Sequence, residues 1–381
     1  MITRHVPPRR WFLAVACAAV GALHALAPAS AASVPTIDQA AAKKLQDVLN
    51  DARRTTGTPG LSAAVMVDGR LVWEGQSGYA DSDLRQPVVA GTLYSLASVT
   101  KMFVSTMVLR LYEKGEIGLD DPIKAYVPSY IPSTDKVTIR ELLGHTSGYD
   151  DVEGYPEIIR WLNDPNFHWT RDIVLRRVKP VHFKPGSKFE YSNTNYVMLG
   201  AVLERASGVT VDGLFNQLIA DPLNLESELD FARLAGYAPR IAHGYDVENS
   251  KLVDTFIGAH DLGVPTGDWG PVWTDGGIVA SGAGVARFTD ALYGGRILRP
   301  ATLAQMLRPG PDGSYGLGTL RLRFNGHTWQ GHDGFYSGFT TETFYDFSRR
   351  LTITVLTNRT DNNDPAAAIW NHLASAVDAL R

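Results

Sequence analysis

The sequence predicts an α+β fold in which helices flank an antiparallel sheet built from both ends of the chain. Segments with the pattern of β-strands occur at residues 60–80 and again within 300–381, where a helical segment closes the chain. The region between them, about 137–300, contains mostly helical segments joined by Gly- and Pro-rich loops. We therefore expect a mainly helical lobe inserted between the two parts of one sheet.

The first predicted elements are a helix and a hairpin. "TIDQAAAKKLQDVLNDARRTTG" places Leu45, Val48 and Leu49 on one face, as an amphipathic helix does. "GLSAAVMVDGRLVWEGQSGYA" then predicts two strands around a turn at Asp68 and Gly69, since Asp-Gly is a strong hairpin signal.

A buried helix follows in "LYSLASVTKMFVSTMVLRLYEKG". Phe103, Met107 and Leu111 share one stripe, and Gly115 marks the expected end of the helix. In the last part of the chain, "LGTLRLRF", "TTETFYDF" and "LTITVLTN" predict strands, and "DPAAAIWNHLASAVDAL" predicts a helix with Asp364 as its N-cap.

These elements suggest a division of the chain. The sheet part is expected at about residues 36–115 and 300–381, and the helical lobe at about 116–299. Together they form one predicted catalytic domain, 32–381.

The N-terminal residues predict an export signal. A basic start is followed by the apolar run "WFLAVACAAVGALHALA" and by small residues, so we expect residues 1–31 to be a signal peptide cleaved after Ala31. "RRWFL" is similar to a twin-arginine signal, and an uncleaved membrane anchor is the alternative. The expected location is therefore periplasmic or secreted, with no stable membrane insertion after cleavage.

Composition excludes several other classes of protein. The 381 residues are 44% hydrophobic and carry a formal net charge of −4, with no basic run beyond the N-terminus, so no nucleic acid is expected as a partner. Cys17 is the only cysteine, and signal cleavage would remove it. Disulfides, thiol catalysis and cysteine metal sites are then excluded.

The first candidate for chemistry is Ser98 with Lys101, which lie one helical turn apart at the start of the buried helix. A serine is a poor nucleophile until a neighbour takes its proton, and a desolvated lysine can do so. The spacing alone is weak, because Ser133 and Lys136 repeat it in a polar loop after Pro132. That second pair lacks an apolar helix behind it.

Two further clusters support the first pair. Tyr191 and Asn193 form the only Tyr-x-Asn of the sequence, and a phenol can carry a proton if a lysine ammonium lowers its pKa. His332, Asp333 and Gly334 open a probable strand, where a glycine would let a substrate approach the backbone closely.

The ordered motifs "SVTK", "YSN" and "HDG" resemble those of the serine β-lactamase and penicillin-binding protein superfamily. The branch most similar contains class C β-lactamases, D-alanyl-D-alanine carboxypeptidases and related esterases. The flanking segments "TIRELLGHTSG" and "GSKFEYSNTNYVMLG" agree, and the resemblance covers about residues 36–380. It implies a β-lactamase/transpeptidase-like fold.

The resemblance also implies roles for the motif residues. Ser98 would be the nucleophile, Lys101 its proton acceptor, Tyr191 the proton donor to the leaving group, and Asn193 a ligand of the substrate amide. The backbone N–H groups of Ser98 and Phe335 would form the oxyanion hole.

The third motif would line the substrate through His332, Asp333 and Gly334, and it departs from the family. β-Lactamases usually have Lys-Thr-Gly or Lys-Ser-Gly there, so a permanent positive charge is missing. If Asp333 faces the cleft, it would repel a substrate carboxylate. Gly284 stands where relatives often have an Asp that helps to start a helix, which predicts a small loss of local stability.

The leading hypothesis is an exported serine hydrolase that forms an acyl-enzyme with ester or peptide-like amide bonds, similar to D-alanyl-D-alanine carboxypeptidases and esterases. The alternatives are a class C-type β-lactamase and a non-catalytic protein that binds or senses cell-wall peptides. No cofactor and no metal is expected, since no His cluster has ligand spacing. The expected partner is a small-molecule or peptidoglycan-peptide-like substrate, and the sequence leaves the oligomeric state open.

Overall fold

The computed structural model describes residues 37–158, 170–231, 240–255, 273–361 and 363–380. The chain divides into two units, Met1–Pro35 and Thr36–Arg381, and all described residues belong to the second. The predicted signal peptide and its cleavage site therefore lie outside the described residues.

An antiparallel sheet of seven strands organises the described chain, in the order β3-β2-β1-β12-β11-β10-β9. Its neighbouring strands β1 and β12 come from the two ends of the sequence, as expected from the strand-like segments. The strands are Gly60–Val67 (β1), Arg70–Asp81 (β2), Gln86–Pro87 (β3), Tyr94–Ser95 (β4), Leu229–Phe231 (β5), Tyr245–Glu248 (β6), Lys251–Asp254 (β7), Ile278–Ala280 (β8), Leu320–Phe324 (β9), His327–Tyr336 (β10), Phe339–Asp346 (β11), Leu351–Thr357 (β12) and Arg359–Thr360 (β13).

The predicted hairpin turn is present between β1 and β2. Asp68 has φ 53° and Gly69 has φ 81°, the left-handed pair that a two-residue hairpin needs. The described helices are Gln39–Thr56 (α1), Thr100–Lys114 (α2), Ile139–Leu143 (α3), Arg171–Leu175 (α4), Asn193–Ser207 (α5), Val211–Phe215 (α6), Asp221–Leu223 (α7), Gly282–Tyr293 (α8), Pro300–Leu307 (α9) and Pro365–Asp378 (α10).

Helices α1 and α10 cover one face of the large sheet. Leu45 and Leu49 of α1 and Trp370 of α10 are buried in one apolar cluster with the inner side chains of β1 and β12. Asp38 caps α1 by accepting a hydrogen bond from the Ala41 N–H at 2.7 Å, and Gly57 ends it in the left-handed conformation.

Helix α2 runs through the larger, helical side of the core. Its residues from Thr100 to Leu109 are all buried, and so is Leu111, so the helix is enclosed on every side rather than along the predicted stripe alone. The helix ends at Gly115 with φ 76°, as predicted. Burying a helix so completely fixes the position of Lys101 in its first turn and of Ser98 directly before it.

The predicted boundaries of the two parts need correction. Helix α8 falls within 116–299, the range assigned to the helical lobe, yet it packs on β1, β11 and β12 and covers the second face of the sheet. Helix α2, assigned to the sheet part, packs instead against α5. The prediction assigned each helix to a part by its position in the sequence, whereas the apolar surface on which a helix packs determines where it lies.

Candidate active site

Ser98 lies in a short 3₁₀ turn, Ala97–Val99, directly before α2, and we call this segment the serine turn. Ala97 has φ 45°, a left-handed conformation that is unfavourable for a residue with a side chain. Such a conformation costs about 1–3 kcal/mol and persists only where the surroundings enforce it. Here it turns the chain sharply between β4 and α2, which presents Ser98 at the start of the buried helix.

Lys101 contacts Ser98 as the spacing predicted. Its Nζ lies 3.0 Å from Ser98 Oγ, 2.8 Å from Asn193 Oδ1 and 2.7 Å from the backbone oxygen of Asp275. The side chain is fully buried. Burial lowers the pKa of Lys101, and the nearby Asp275 and Glu153 carboxyls oppose that shift only in part.

These three contacts suit a neutral lysine that accepts a proton. The oxygens of Asn193 and Asp275 can only accept hydrogen bonds, so they take the two N–H groups that a neutral amine offers. In that state the remaining lone pair would be the acceptor for the hydroxyl proton of Ser98, whereas a protonated amine donates to Ser98 Oγ. The arrangement gives the amine one available proton source, the nucleophile.

Tyr191 completes the predicted group. Its hydroxyl donates a hydrogen bond to Ser98 Oγ at 2.9 Å, and the ring lies 5.0 Å from Lys101 Nζ. Burial and the negative charges of Asp333, Asp275 and Glu153 raise the pKa of Tyr191 well above its usual value. The condition that a lysine ammonium lowers this pKa is therefore not met, and Tyr191 remains a phenol that can give its proton away.

Asn193 is placed differently from the expectation that it binds the substrate amide. Its Oδ1 accepts from Lys101, and its Nδ2 donates to Asp151 Oδ2 at 3.0 Å and to Glu153 Oε2 at 2.9 Å. All of its hydrogen-bonding atoms are thus used inside the protein. Asn193 thus holds the lysine amine in place, and its contact with a substrate amide stays a prediction.

The carboxyls behind Asn193 were not identified from the sequence. Burial and the neighbouring carboxyls raise the pKa of Glu153 well above its usual value, and burial also raises the pKa of Asp151. Asp275 contributes through its backbone oxygen, and its side chain accepts from the Trp273 N–H at 3.0 Å. No sequence signal associates these carboxyls with Ser98. Asp151 and Glu153 lie in a short "DDVEG" segment, and Asp275 is an isolated aspartate far along the chain.

The third motif lies on β10, beside the serine turn. Strand β9 pairs with β10 only from His327 to Gly331. Beyond Gly331, this edge of β10 borders the serine turn instead of β9. A Cβ atom on Gly334 would lie 2.3 Å from the backbone oxygen of Leu96 and 2.3 Å from Thr341 Oγ1. Gly334 therefore allows the serine turn to approach the strand, whereas the expectation was an approach by substrate.

His332 was predicted to line the substrate, but its ring is buried away from the cleft. Only 1% of the residue is exposed, its Nε2 lies 2.9 Å from the Tyr315 hydroxyl, and its Nδ1 lies 2.6 Å from the backbone oxygen of Asp333. Asp333 and Phe335 alternate with His332 and Gly334, so they point to the face of the sheet opposite to the one on which the serine turn packs. The Asp333 side chain is 53% exposed and Phe335 is 59% exposed.

Asp333 carries its charge close to the reacting groups. Burial raises the pKa of its carboxyl, but a hydrogen bond and charge attraction from His332 outweigh this and lower the pKa overall. The resulting carboxylate raises the pKa of both Lys101 and Tyr191. Asp333 is thus ionised at neutral pH within electrostatic reach of Lys101 and Tyr191.

His145 is a further residue that the sequence-based analysis missed. Its buried ring stacks on the Tyr191 ring with centroids 4.1 Å apart, and its Nδ1 accepts a hydrogen bond from the Ser192 N–H at 3.2 Å. Burial and the charge of Lys101 lower the pKa of His145 well below its usual value. A neutral imidazole therefore supports the face of the Tyr191 phenol.

Ser133 and Lys136, the second Ser-x-x-Lys pair, stay apart from this site. Ser133 Oγ accepts from the Val181 N–H at 3.4 Å, in a loop that precedes α3. Gly284 lies in the first turn of α8, and a Cβ atom there would lie 2.8 Å from the Cβ of Glu228. This contact opposes a gain from an Asp at this position, because any side chain here would have to displace Glu228, and the expected effect on stability stays a prediction.

A group that could hold a metal ion, Asp150 with His182 and Glu190, occurs among the described residues. His182 Nδ1 lies 2.8 Å from Asp150 Oδ1, and its Nε2 lies 2.7 Å from Glu190 Oε1. Both ring nitrogens therefore already have carboxylate partners, which makes the group a surface hydrogen-bond network. Within the described part of the chain, no helix is long and apolar enough to cross a membrane.

Comparison with known proteins shows the family of this chain. A family model described as Beta-lactamase matches residues 38–378. Esterase EstB of Burkholderia gladioli is 36% identical over 197 residues, which cover 48% of this chain and 50% of the esterase. A putative D-alanyl-D-alanine carboxypeptidase of Salmonella agona (strain SL483) is 27% identical over 310 residues, 71% of this chain and 69% of that protein. The match to the esterase thus spans about half of its length.

A similar solved structure is that of D-amino acid amidase from Ochrobactrum anthropi SV3, complexed with D-phenylalanine. It aligns with a TM-score of 0.75 and 25% identity, over 90% of this chain and 100% of the amidase chain. The predicted α+β fold with an antiparallel sheet is thereby confirmed.

Proposed function

Because the chain belongs to the beta-lactamase family of serine hydrolases, we propose that it hydrolyses ester and peptide-like amide bonds through an acyl-enzyme on Ser98. One observation carries the proposal. Ser98 Oγ lies between the amine of Lys101, at 3.0 Å, and the hydroxyl of Tyr191, at 2.9 Å. A nucleophile between a proton acceptor and a proton donor is the arrangement that acyl transfer requires.

Acylation then follows from the contacts of each group. Ser98 Oγ bonds to the substrate carbonyl carbon while its proton passes to neutral Lys101, and the carbonyl oxygen becomes an oxyanion. The backbone N–H groups of Ser98 and Phe335 are proposed to bind that oxyanion, which contributes several kcal/mol. As the tetrahedral intermediate collapses, Tyr191 gives its proton to the leaving group.

Deacylation uses the same groups in reverse. Water replaces the leaving group and loses a proton to Tyr191, which is a phenolate after the first half-reaction. The acid is released as Lys101 returns the proton to Ser98 Oγ. Asn193, held by Asp151 and Glu153, keeps the amine of Lys101 at the nucleophile in both halves.

The charge of Asp333 favours substrates without a carboxylate near the scissile bond. Like charges about 4 Å apart cost roughly 1–4 kcal/mol between water-like and surface-like dielectric. Penicillins and peptides ending in D-Ala-D-Ala carry such a carboxylate. We therefore expect slow hydrolysis of the β-lactam nitrocefin and faster hydrolysis of short p-nitrophenyl esters; rapid nitrocefin hydrolysis would support the class C-type alternative instead.

The test is intact-mass spectrometry after mixing the enzyme with p-nitrophenyl butyrate, with a D-amino acid amide and with a fluorescent penicillin. The wild type should gain the mass of the acyl group and turn over the ester. Ser98→Ala should lose both adduct and turnover, while Ser133→Ala should keep both. A non-catalytic binding protein would give no adduct with any reagent, and unaltered turnover by Ser98→Ala would refute the assignment.

We also propose that the enzyme is exported. The support is the basic N-terminus followed by an apolar run and small residues up to Ala31. N-terminal sequencing of the protein from the producing cells should start near Ala32. A membrane-bound protein that keeps Met1 would show an anchor instead.

A further inference from the structure

A pocket of about 490 Å³ lies between helices α3 and α9, and we call it the α3–α9 pocket. Its lining comes from α3 and the residues that flank it, from α9, and from the loop that follows α9, residues 308–317. Ser98, Lys101 and Tyr191 do not line it, so it is separate from the catalytic group. Pockets for small organic molecules usually measure about 300–1,000 Å³, and this one has room for such a ligand.

Arg308 keeps its guanidinium available in this pocket. It is exposed, and its side chain forms no hydrogen bond or ion pair with any residue in the described ranges. Arg140, the second arginine of the lining, is already paired, since its Nε and Nη2 lie 2.7 and 3.0 Å from the two carboxylate oxygens of Asp120. Glu141 is satisfied as well, because its Oε2 accepts from the N–H and the hydroxyl of Thr138. Arg308 is therefore the charge that a ligand would neutralise.

Thr146 adds a nearly buried polar group to the lining. It is 8% exposed, and its hydroxyl has no hydrogen-bond partner among the described residues. An unpaired hydroxyl in such a place is costly, whereas a ligand oxygen would accept its hydrogen bond. Pro309, Pro311 and Leu317 supply apolar surface beside it. The pocket thus combines donors for an anion with surface for the carbon skeleton of a ligand.

We propose that the α3–α9 pocket binds a small organic carboxylate, with Arg308 and Thr146 as its hydrogen-bond donors. A guanidinium matches the planar carboxylate, because it can form two parallel hydrogen bonds with the two oxygens. A metal cation does not suit a pocket whose available charge is positive. The inference goes beyond the proposed function, because it assigns a second ligand site that does not include Ser98.

The walls of the α3–α9 pocket also support the catalytic tyrosine. The residues on either side of His145 line the pocket, and His145 itself stacks on the ring of Tyr191 with centroids 4.1 Å apart. The loop 308–317 carries Tyr315, whose ring centroid lies 4.9 Å from that of His145. A ligand held by both walls therefore contacts the two segments that pack around Tyr191. We expect its binding to alter kcat without competing with substrate.

Isothermal titration calorimetry with 2-naphthoate tests the site, and 2-naphthamide serves as the neutral probe of nearly the same shape. We expect the wild type to bind the carboxylate at least about tenfold more tightly, since hydrogen bonds to a charged group are worth that factor. Arg308→Gln should remove the preference. The matched control is Arg70→Gln, which replaces another exposed arginine, at the start of β2, and should retain it. Ser98→Ala should bind as the wild type does, so the result does not depend on the proposed function.

Kinetics with p-nitrophenyl butyrate separate this pocket from the catalytic cleft. Saturating 2-naphthoate should change kcat by about twofold or more with KM unaltered, a coupling of the size that residues between two sites convey. Arg308→Gln should have the kcat of the wild type and no response to 2-naphthoate.

Four results would contradict the proposal. Equal affinity for the carboxylate and the amide, or a preference that survives Arg308→Gln, overturns the site. Competitive inhibition by 2-naphthoate would place the ligand in the cleft at Ser98 and overturn it too. Equally tight binding of inorganic phosphate would overturn the ligand class and show a general anion site. Binding that leaves kcat unaltered would overturn the coupling to Tyr191.

Discussion

Gly334→Ala should separate the nucleophile from its oxyanion site without removing any catalytic group. The new Cβ would lie 2.3 Å from the Leu96 backbone oxygen and 3.2 Å from the Ala97 Cβ. An ordinary contact begins at 3.4 Å, so the serine turn and β10 must move apart by about 1 Å. A displacement of that size costs about a hundredfold in rate, and overpacking costs about 1–3 kcal/mol of stability.

The assay is kcat for p-nitrophenyl butyrate together with urea unfolding monitored by circular dichroism. Gly310→Ala is the matched control, because its nearest contact would be the Tyr315 backbone oxygen at 3.4 Å. We expect the control to keep wild-type kcat, and Gly334→Ala to lose about two orders of magnitude while still folded. A folded Gly334→Ala enzyme with kcat within threefold of the wild type would refute the role given to this contact.

Three further predictions follow from buried groups. Lys101→Arg should abolish turnover, because a guanidinium stays charged and cannot take the proton of Ser98. Since burial lowers the pKa of Lys101, wild-type kcat/KM should rise with pH through a midpoint below 10.5. A midpoint at or above 10.5 would contradict this role. Burial lowers the pKa of His145, so the free energy of unfolding should fall as pH drops below 6.5, where only the unfolded chain gains the proton. Thermal unfolding of His145→Gln should therefore depend less steeply on pH than that of the wild type. The same pH dependence in both proteins would exclude this role. Gly284→Asp should lower the free energy of unfolding by about 1–3 kcal/mol with kcat unchanged, because its Cβ would lie 2.8 Å from that of Glu228. A stabilised variant would show that an Asp at the start of α8 gains more than the contact with Glu228 costs.

Local sequence signals predicted the parts of the fold and the site that depend on local structure. The Asp68-Gly69 turn, the end of α2 at Gly115 and the positions of Ser98 and Lys101 follow from conformational preference and helical spacing. Tyr191 was identified because three weak motifs occurred in order. Each of these features is encoded within a few residues.

Features that depend on distant contacts were missed or misassigned. Asn193 was expected to bind substrate, but Asp151 and Glu153 occupy its amide group. The sequence could not tell whether a lysine lowers the pKa of Tyr191, and in the structure burial raises it. The contact of Leu96 with Gly334 joins segments far apart in the chain, so no local pattern could reveal it.

The pairing of β1 with β12 has a consequence for the order in which the protein folds. Leu61 pairs with Thr357, so a central strand made early in synthesis receives its partner only when the chain is almost complete. Until then the edge of β1 has unpaired N–H and C=O groups, which can pair with other chains. Contacts so distant in sequence also form slowly. Truncation after α9 removes β12, so it should yield aggregates in place of a smaller domain.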